Sequence, residues 1–411
     1  MKRNARGRQI HDGLLRVGRP AAALVLGLAL TTGAFAQGTT GDFTISTREH
    51  EVVVTRVAEG MAHPWAMAFL PDGSLLVTER EGELTLIPDP LGAAEEGRGR
   101  TISVADPPEV AVAGQGGLLD IALHPDYREN GWIYFSYSAS VSGGYASALG
   151  RGRLAGAGNG AGAESPRLTD WQELFVMESA SGSTRHFGSR IVFGRDGYLY
   201  MTIGDRGDGR RGEAHPSQDA GTHIGSTLRL TETGAPAPGN PFAGEGLPEI
   251  YSIGHRNAQG MTVHPETGAI WQSEHGPEGG DELNVIRPGA NYGWPVITHG
   301  SEYSGGPVGE GRTSAPGMEQ PVTYWVPTSI APADMDFYSG DVFPAWQGDL
   351  FVGALAQRHL RRVVLDGETV VEQEEILRNR IGRIRDVQQG PEGYLWLLTD
   401  ADNGALYRLS D

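Results

Sequence analysis

The chain has 411 residues, and its composition excludes several classes of partner and of site. Acidic residues outnumber basic ones, 51 against 33, and the net charge of −18 argues against nucleic acid and anionic membranes as partners. Cysteine is absent, which excludes disulfides, thiolate metal sites and covalent haem attachment. The 61 glycines and 25 prolines indicate many tight turns, and so many short strands, in two ordinary domains or one large all-β domain.

The N-terminus has the pattern of a secretory signal peptide. Six basic residues lie within residues 1–19, an apolar run follows at 21–30, and Ala34-Phe35-Ala36 is a small-residue cleavage motif. A retained anchor is the alternative, but the apolar run is too short to span a bilayer comfortably. We expect residues 1–36 to be a leader and 37–411 to be the mature catalytic domain, periplasmic or secreted and without a membrane span.

A repeated unit then runs along the chain. It consists of an apolar strand, a turn that contains Pro, Asp or Glu, and Gly, and a second apolar or aromatic strand, which is typical of a hairpin. The six copies lie at residues 66–78, 121–136, 191–202, 261–273, 335–353 and 387–399.

These hairpins are several dozen residues apart, which leaves room for two more strands in each unit. The pattern predicts an all-β fold, a six-bladed β-propeller with four-stranded antiparallel blades. A pair of sandwiches is the weaker alternative because the six turns resemble one another. Long insertions at 137–174, 204–225 and 298–324 are expected to be loops on the binding face.

Polar residues recur beside these hairpins, mostly just before the first strand. Each has an ordinary explanation alone: a capping histidine, a turn-forming aspartate, or the solvent face of a strand. Their recurrence at matching blade positions favours one shared site at the mouth of the propeller. The residues are Gln115, His186, Asp205, Arg256, Asn257, Arg383 and Arg385.

The loop 274–282 is rich in carboxylates, glycine and proline, which suits a hard cation such as calcium. Arg256 and Asn257 precede it by one hairpin, and an arginine beside an amide can orient a carbonyl or carboxylate. Together they suggest a flat anionic cofactor held by an arginine and a metal. For the acids alone, a solvated surface loop is the simpler interpretation.

Six sequence blocks carry a resemblance to a known family: GQGGLLDIALHPDY, HFGSRIVFGRDGYLYMTIGDRG, SIGHRNAQG, SEHGPEGGDELN, NYGWP and GRIRDV. The chain resembles the soluble periplasmic PQQ-dependent aldose sugar dehydrogenases, relatives of soluble quinoprotein glucose dehydrogenase. The likeness covers nearly all of the mature chain. It implies a six-bladed propeller, pyrroloquinoline quinone (PQQ) and calcium, and oxidation of the anomeric hydroxyl of an aldose sugar to a lactone. Electrons would pass to a separate acceptor, and the protein would be a monomer or homodimer.

The resemblance also implies roles for single residues. His186 would be the general base for the C1 hydroxyl, Asp205 its acidic partner, and Arg256 the cation on the quinone oxygens. Trp325 would flank the cofactor or the sugar. The cofactor-binding set would be Gln115, His186, Arg256, Asn257, Tyr303, Ala354, Leu355, Ala356, Arg383, Ile384 and Arg385. The carbonyls of Gly276 and Pro277 would hold one calcium, and Glu282 with the Tyr292 carbonyl a second.

One departure concerns the cofactor carboxylates. The glucose dehydrogenase branch places a lysine against them, whereas residues 352–358 contain none, and Arg358, Arg383 or Arg385 would have to supply the charge. Two other classes stay open, since a fold does not determine a function. They are a calcium-dependent lactonase and a non-catalytic sugar-binding propeller.

Overall fold

The computed structural model describes residues 42–96, 99–156 and 165–411, which belong to the compact unit Gly38–Asp411. The predicted leader, residues 1–36, lies outside the described residues and stays a prediction. Within the described ranges, no helix has the length and apolar character needed to cross a membrane.

In the described chain, 25 strands form six antiparallel sheets, each of them one blade of a propeller. The first two strands are β1 (Phe43–Ser46) and β2 (Glu51–Met61). Blade 1 contains β3 (Pro64–Phe69), β4 (Leu75–Glu79), β5 (Leu84–Ile87) and β6 (Ile102–Ser103). Blade 2 contains β7 (Leu118–Leu123), β8 (Trp132–Val141), β9 (Gly144–Ala155) and β10 (Arg167–Val176). Blade 3 contains β11 (Gly188–Phe193), β12 (Leu199–Ile203), β13 (Ser226–Leu230) and β14 (Ile250–Ile253).

Blade 4 contains β15 (Ala258–Val263), β16 (Ile270–Glu274), β17 (Asp281–Ile286) and β18 (Thr323–Trp325). Blade 5 contains β19 (Pro332–Phe337), β20 (Leu350–Ala354), β21 (His359–Asp366) and β22 (Thr369–Ile376). Blade 6 contains β23 (Ile384–Gln389), β24 (Leu395–Thr399) and β25 (Gly404–Ser410), completed by β2 and β1. Short helices lie at α1 (Pro90–Glu96) and α2 (Tyr127–Asn130), with 3₁₀ turns at Gly212–Ala214, Pro216–Gln218 and Pro344–Trp346.

The ring closes by pairing the two ends of the described chain. β2 pairs with β25, with Val53 opposite Ser410 and Met61 opposite Gly404. The first strands of successive blades pack against one another, and β23 packs against β3. The six-bladed propeller is therefore confirmed, and each predicted hairpin forms the two inner strands of one blade.

The inner strands are apolar along most of their length because both faces of a blade are covered by its neighbours. β24 and β20 are buried at every residue. Between blades 4 and 5, Trp271, Val352 and Val363 belong to one buried cluster. Burial of an aliphatic or aromatic side chain contributes about 1.5–3 kcal/mol, so these interfaces between blades hold the ring together.

An arginine of blade 3, Arg190, contacts all five other blades on the propeller axis. It is 2% exposed, and its neighbours there are mainly carboxylates. Its contacts are Trp65 (4.3 Å from ring centroid to Cζ), Asp120 Oδ1 (2.8 Å), the Gln259 carbonyl (3.0 Å), Asp334 Oδ1 (3.2 Å) and Asp386 Oδ1 (3.0 Å). We call Arg190, Asp120, Asp334 and Asp386 the axial cluster.

Candidate active site

The loops before the first strand and after the second strand of each blade meet at one end of the axis, which we call the mouth. His186 precedes β11 and has a positive φ of 52°. Its Nδ1 lies 2.6 Å from Asp205 Oδ1, and its backbone N–H donates to Gln115 Oε1 at 2.8 Å. Because Nδ1 faces a carboxylate, it carries the ring hydrogen, and Nε2 is left as the basic nitrogen.

Asp205 follows β12 and is held from three directions. Its Oδ1 also accepts the Gly207 N–H at 2.7 Å, and its Oδ2 accepts the indole N–H of Trp294 at 2.8 Å. Burial acts to raise the pKa of Asp205, but the hydrogen bond and charge of His186, with Arg256, outweigh it and lower that pKa. Asp205 is therefore ionised at neutral pH.

The pKa of His186 is lowered below its usual value. Burial is the main cause, Asp205 opposes it, and the positive charges of Arg256 and Arg185 add to it. His186 is therefore neutral at pH 7 and can accept a proton, while Asp205 is placed to stabilise the imidazolium that forms.

Arg256 lies on the neighbouring blade and is 7% exposed. Its backbone N–H donates to Glu274 Oε2 at 2.7 Å, and its Nη1 donates to the His275 carbonyl at 3.1 Å. The guanidinium lies 5.2 Å from the ring centroid of Trp294. Its Nε is buried and has no hydrogen-bond partner in the part of the chain that the structure describes, so a donor remains available to an acceptor at the mouth.

Beside these residues the mouth contains a recess whose lining includes Arg80, Asn257, His275, Arg383 and Arg385. Arg383 and Arg385 each donate through Nη2 to Asp400 Oδ2 at 3.1 Å. Although burial acts to raise it, the pKa of Asp400 is held far below its usual range by Arg385, His63 and Arg383. Arg80, Arg383 and Arg385 outnumber the single carboxylate of Asp400 in the lining, so the recess has a net positive charge that suits an anionic ligand.

A second group of oxygens lies in blade 4, next to the mouth. Glu274 and Glu282 stand directly opposite each other on β16 and β17, and Asn284 Nδ2 donates to both, at 3.1 and 3.2 Å. Burial, and then the charge of Glu274, raise the pKa of Glu282 well above its usual value. Asn284 Oδ1 is buried without a hydrogen-bond partner among the described residues. Two facing carboxylates and a free amide oxygen fit a hard cation.

The loop between β16 and β17 is fixed by Asp281, whose Oδ1 accepts the Gly276 N–H at 2.8 Å and whose Oδ2 accepts the Ile330 N–H at 2.7 Å. Gly276 and Pro277 are buried there. In the described ranges no group of three or more His, Asp or Glu side chains has a metal-binding arrangement. A cation in this region would therefore need backbone carbonyls in addition to carboxylates.

The matching family model is that of glucose/sorbosone dehydrogenases, and it covers residues 61–408. The chain belongs to this family. It is 39% identical over 364 residues to the aldose sugar dehydrogenase YliI of Escherichia coli, covering 87% of this chain and 93% of that protein.

Solved structures agree with this assignment. The soluble aldose sugar dehydrogenase of Escherichia coli in its apo form matches with a TM-score of 0.79 and 39% identity, over 87% of this chain and 99% of that one. The PQQ-bound aldose sugar dehydrogenase of Streptomyces coelicolor matches with a TM-score of 0.68 and 28% identity, over 91% of this chain and all of that one. This member of the glucose/sorbosone dehydrogenase family is an oxidoreductase.

The structure brings eight of the predicted site residues of this family member together. Gln115, His186, Asp205, Arg256, Asn257, Leu355, Arg383 and Arg385 all lie at the mouth or line the recess. Glu282 and Tyr292 lie in and beside blade 4, where the ring of Tyr292 stacks on His255 at 4.6 Å.

Other predicted residues lie elsewhere. Trp325 packs in the cluster between blades 4 and 5, and its indole N–H donates to Gln373 Oε1 at 2.8 Å, so the structure does not place it beside the recess. Tyr303 is 73% exposed on the long insertion. The side chains of Ile384 and Ala354 are buried in the core, which leaves only their backbone for a ligand, and Ala356 is on an exposed turn.

Sequence reasoning missed several residues at the mouth: Arg80, His275, Trp294 and Asp400. Three of them occupy the same blade position, because Arg80, His275 and Asp400 directly follow the second strands β4, β16 and β24. Asp205 lies two residues after β12. The repeat therefore contained the signal for Arg80, His275 and Asp400, and comparing the residues after the second strands would have found these three.

Proposed function

We propose that the chain is a PQQ-dependent aldose sugar dehydrogenase that oxidises the anomeric hydroxyl to a lactone and passes electrons to a separate acceptor. The observation that carries this proposal is the His186–Asp205 pair, which lies beside Arg256 and an arginine-lined recess. The aldose sugar dehydrogenase names of two relatives and the PQQ-bound state of one support it.

The residues present fit both groups. PQQ carries three carboxylates, and the recess offers Arg383 and Arg385, while the free Nε of Arg256 faces no partner among the described residues. Asn284 Oδ1, Glu274 and Glu282 suit calcium. We propose Gln115, Asn257 and Leu355 as further cofactor contacts, with one calcium on the Gly276 and Pro277 carbonyls and a second on Glu282 and the Tyr292 carbonyl.

The protein's own residues would then act as follows. His186 Nε2 accepts the proton of the sugar C1 hydroxyl while Nδ1–H donates to Asp205. Asp205 keeps the ring in this tautomer and stabilises the imidazolium. Arg256 supplies positive charge for the negative charge that develops in the transition state. When bound, PQQ would supply the two-electron acceptor for the C1 hydride, and calcium would act on it as a Lewis acid.

The lactonase alternative needs a carboxylate cage around a metal on the axis. Here Asp120, Asp334 and Asp386 surround the guanidinium of Arg190 instead. A non-catalytic binding propeller would have no need for a histidine and an aspartate in contact at 2.6 Å. We therefore favour the dehydrogenase.

The decisive experiment is single-turnover reduction of bound PQQ by an aldose, followed by absorbance. We expect His186→Ala to bind PQQ nearly as the parent does and to be reduced about 10²–10⁴-fold more slowly, because a positioned general base contributes about that much. His264→Ala, in the turn at the opposite end of blade 4, is the matched control and should react at the parent rate. Reduction of loaded His186→Ala at the parent rate would contradict the assigned base. A parent protein that binds no PQQ would refute the function itself.

We also propose that the mature protein begins at Gln37 in the periplasm or outside the cell. The basic–apolar–Ala34-Phe35-Ala36 order motivates this. N-terminal sequencing of exported protein tests it, and retention of Met1 would contradict it.

A further inference from the structure

Arg80 lies at the mouth beside the proposed cofactor-binding residues. It directly follows β4 on blade 1 and lines the recess together with Arg383 and Arg385. The equivalent positions on blades 4 and 6 are His275 and Asp400, which also line the recess. Blade 1 thus contributes a cation to the same ring of side chains.

The backbone holds Arg80 firmly between two blades. Its N–H donates to the His63 carbonyl at 3.1 Å, and its carbonyl accepts the Leu118 N–H of blade 2 at 3.2 Å. Gly117 has a φ of 157°, and a Cβ there would lie 1.7 Å from the Arg80 carbonyl oxygen. Only glycine permits this close approach, so the base of the Arg80 side chain is fixed before any ligand binds.

The charge of Arg80 is the least compensated of the three recess arginines. Arg383 and Arg385 both pair with Asp400, whereas among the described residues the ion pair of Arg80 is a 3.3 Å contact with Glu81, which is 44% exposed. Such an exposed pair contributes about 0–1 kcal/mol. Arg80 itself is 20% exposed, and its Nε is buried with no hydrogen-bond partner in the described ranges.

We infer that Arg80 binds a carboxylate of the anionic cofactor, a role that rests on the proposed function. The only lysine of the chain is Lys2, so every other permanently charged cation of the chain is an arginine. Arg383 and Arg385 already share Asp400, and Arg80 brings a fork of donors that can take a carboxylate bidentately. The recess then holds its anion from blade 1 as well as from blade 6.

Equilibrium binding of PQQ to the full-length apo protein with calcium chloride, followed by quenching of tryptophan fluorescence, tests this without any turnover. We expect Arg80→Gln to raise Kd about 10- to 100-fold, the loss expected for a hydrogen bond to a charged group. Arg80→Lys keeps the charge but loses the planar fork, and its Kd should lie between those of Arg80→Gln and the parent. Added salt should weaken PQQ binding less in Arg80→Gln than in the parent, because the variant has one positive charge fewer whose attraction to PQQ salt can screen.

Arg195→Gln is the matched control. It removes an arginine from the turn between β11 and β12, at the far end of blade 3, where Nη1 donates to the Glu266 carbonyl at 2.9 Å. Its Kd should equal that of the parent. Parent-like Kd values in both Arg80 variants would overturn the inference while leaving the proposed function intact. If Arg80→Gln does not fold, Arg80→Lys decides, and a Kd equal to that of the parent overturns the inference. A parent protein that does not bind PQQ would overturn both.

Discussion

The axial cluster allows a prediction that does not depend on the cofactor. Replacing Arg190 by Met keeps much of the side-chain length but removes the charge that lies among Asp120, Asp334 and Asp386. All three carboxylates are at most 5% exposed. Burial raises the pKa of Asp120 to about 7 even though the positive charge of Arg190 opposes the rise. The charge of Asp120 inside the protein therefore depends on this guanidinium.

The expected loss at pH 7 is large. Removing one partner of a buried ion pair costs about 3–5 kcal/mol, because the remaining charge is left buried and uncompensated. Arg190 also touches every other blade, so some of its packing on Trp65 is lost as well. Arg287→Met is the matched control, since Arg287 pairs with Glu368 at the surface, where the side chains are 45% and 52% exposed. A surface pair of this kind should change the free energy of unfolding by at most about 1 kcal/mol.

The pH dependence gives a sharper test. A carboxyl whose pKa is higher in the folded than in the unfolded state stabilises the fold below its unfolded pKa of about 3.9, and this contribution is lost as pH rises through the folded pKa. The folded pKa is about 7 for Asp120 and about 6 for Asp336, which is partly buried and lines the same cavity as Arg190. Loss of Arg190 raises the pKa of Asp120 further, so the stability difference from the parent should be small near pH 4 and grow towards pH 7–8.

Denaturant unfolding at several pH values measures this difference. An Arg190→Met protein that stays within about 1 kcal/mol of the parent at pH 7 and shows the parent's pH dependence would contradict this role of Arg190.

Two further predictions concern the site. Chelation should lower both the melting temperature and the affinity for PQQ, and added calcium should restore both. A ligand present at 100 times its Kd stabilises the native state by about 2.7 kcal/mol, so unchanged values after full chelation would contradict the calcium site. Trp294→Phe should remove the N–H on Asp205 Oδ2 and part of the ring near Arg256. With one hydrogen-bond donor fewer, the carboxylate of Asp205 attracts the His186 imidazolium more strongly and raises the pKa of His186. The acid limb of the pH–rate profile then moves to higher pH by as much as about one unit. An unmoved limb would show that this hydrogen bond does not position the acid.

The fold could be predicted from the sequence because each blade repeats its inner hairpin. A strand–turn–strand unit recurs six times, and the structure places each copy at the two inner strands. The outer strands carried a weaker signal. β6 has two residues and β18 has three, and β10 alternates buried and exposed residues irregularly. The pairing of β2 with β25 joins residues more than 340 positions apart, which no local pattern can indicate.

The site could be predicted only where a residue's position along a blade determines where it points. His186, Asp205 and Arg256 met this condition, and their contacts agree with it. Trp325 did not, because its environment depends on blade 5, which packs against the outer strand of blade 4. Trp294 donates to Asp205 across 89 positions from a loop outside the blades. The repeat contained no information about such contacts.

The axial cluster and the recess are built from neighbouring residues of the same strands. In β23, Arg385 faces the recess and the next residue, Asp386, faces Arg190, and the register of β23 shifts between Ile384 and Asp386. The first strands of the other five blades carry a similar shift near the mouth. Trp65 lies between the two levels, with the guanidinium of Arg190 at 4.3 Å and that of Arg385 at 5.7 Å.

A change on the axis should therefore also move the recess arginines. We expect Arg190→Met to weaken PQQ binding even where it remains folded, whereas Arg80→Gln should weaken binding without loss of stability. Measuring both quantities in both variants separates a residue that supports the recess from one that binds within it.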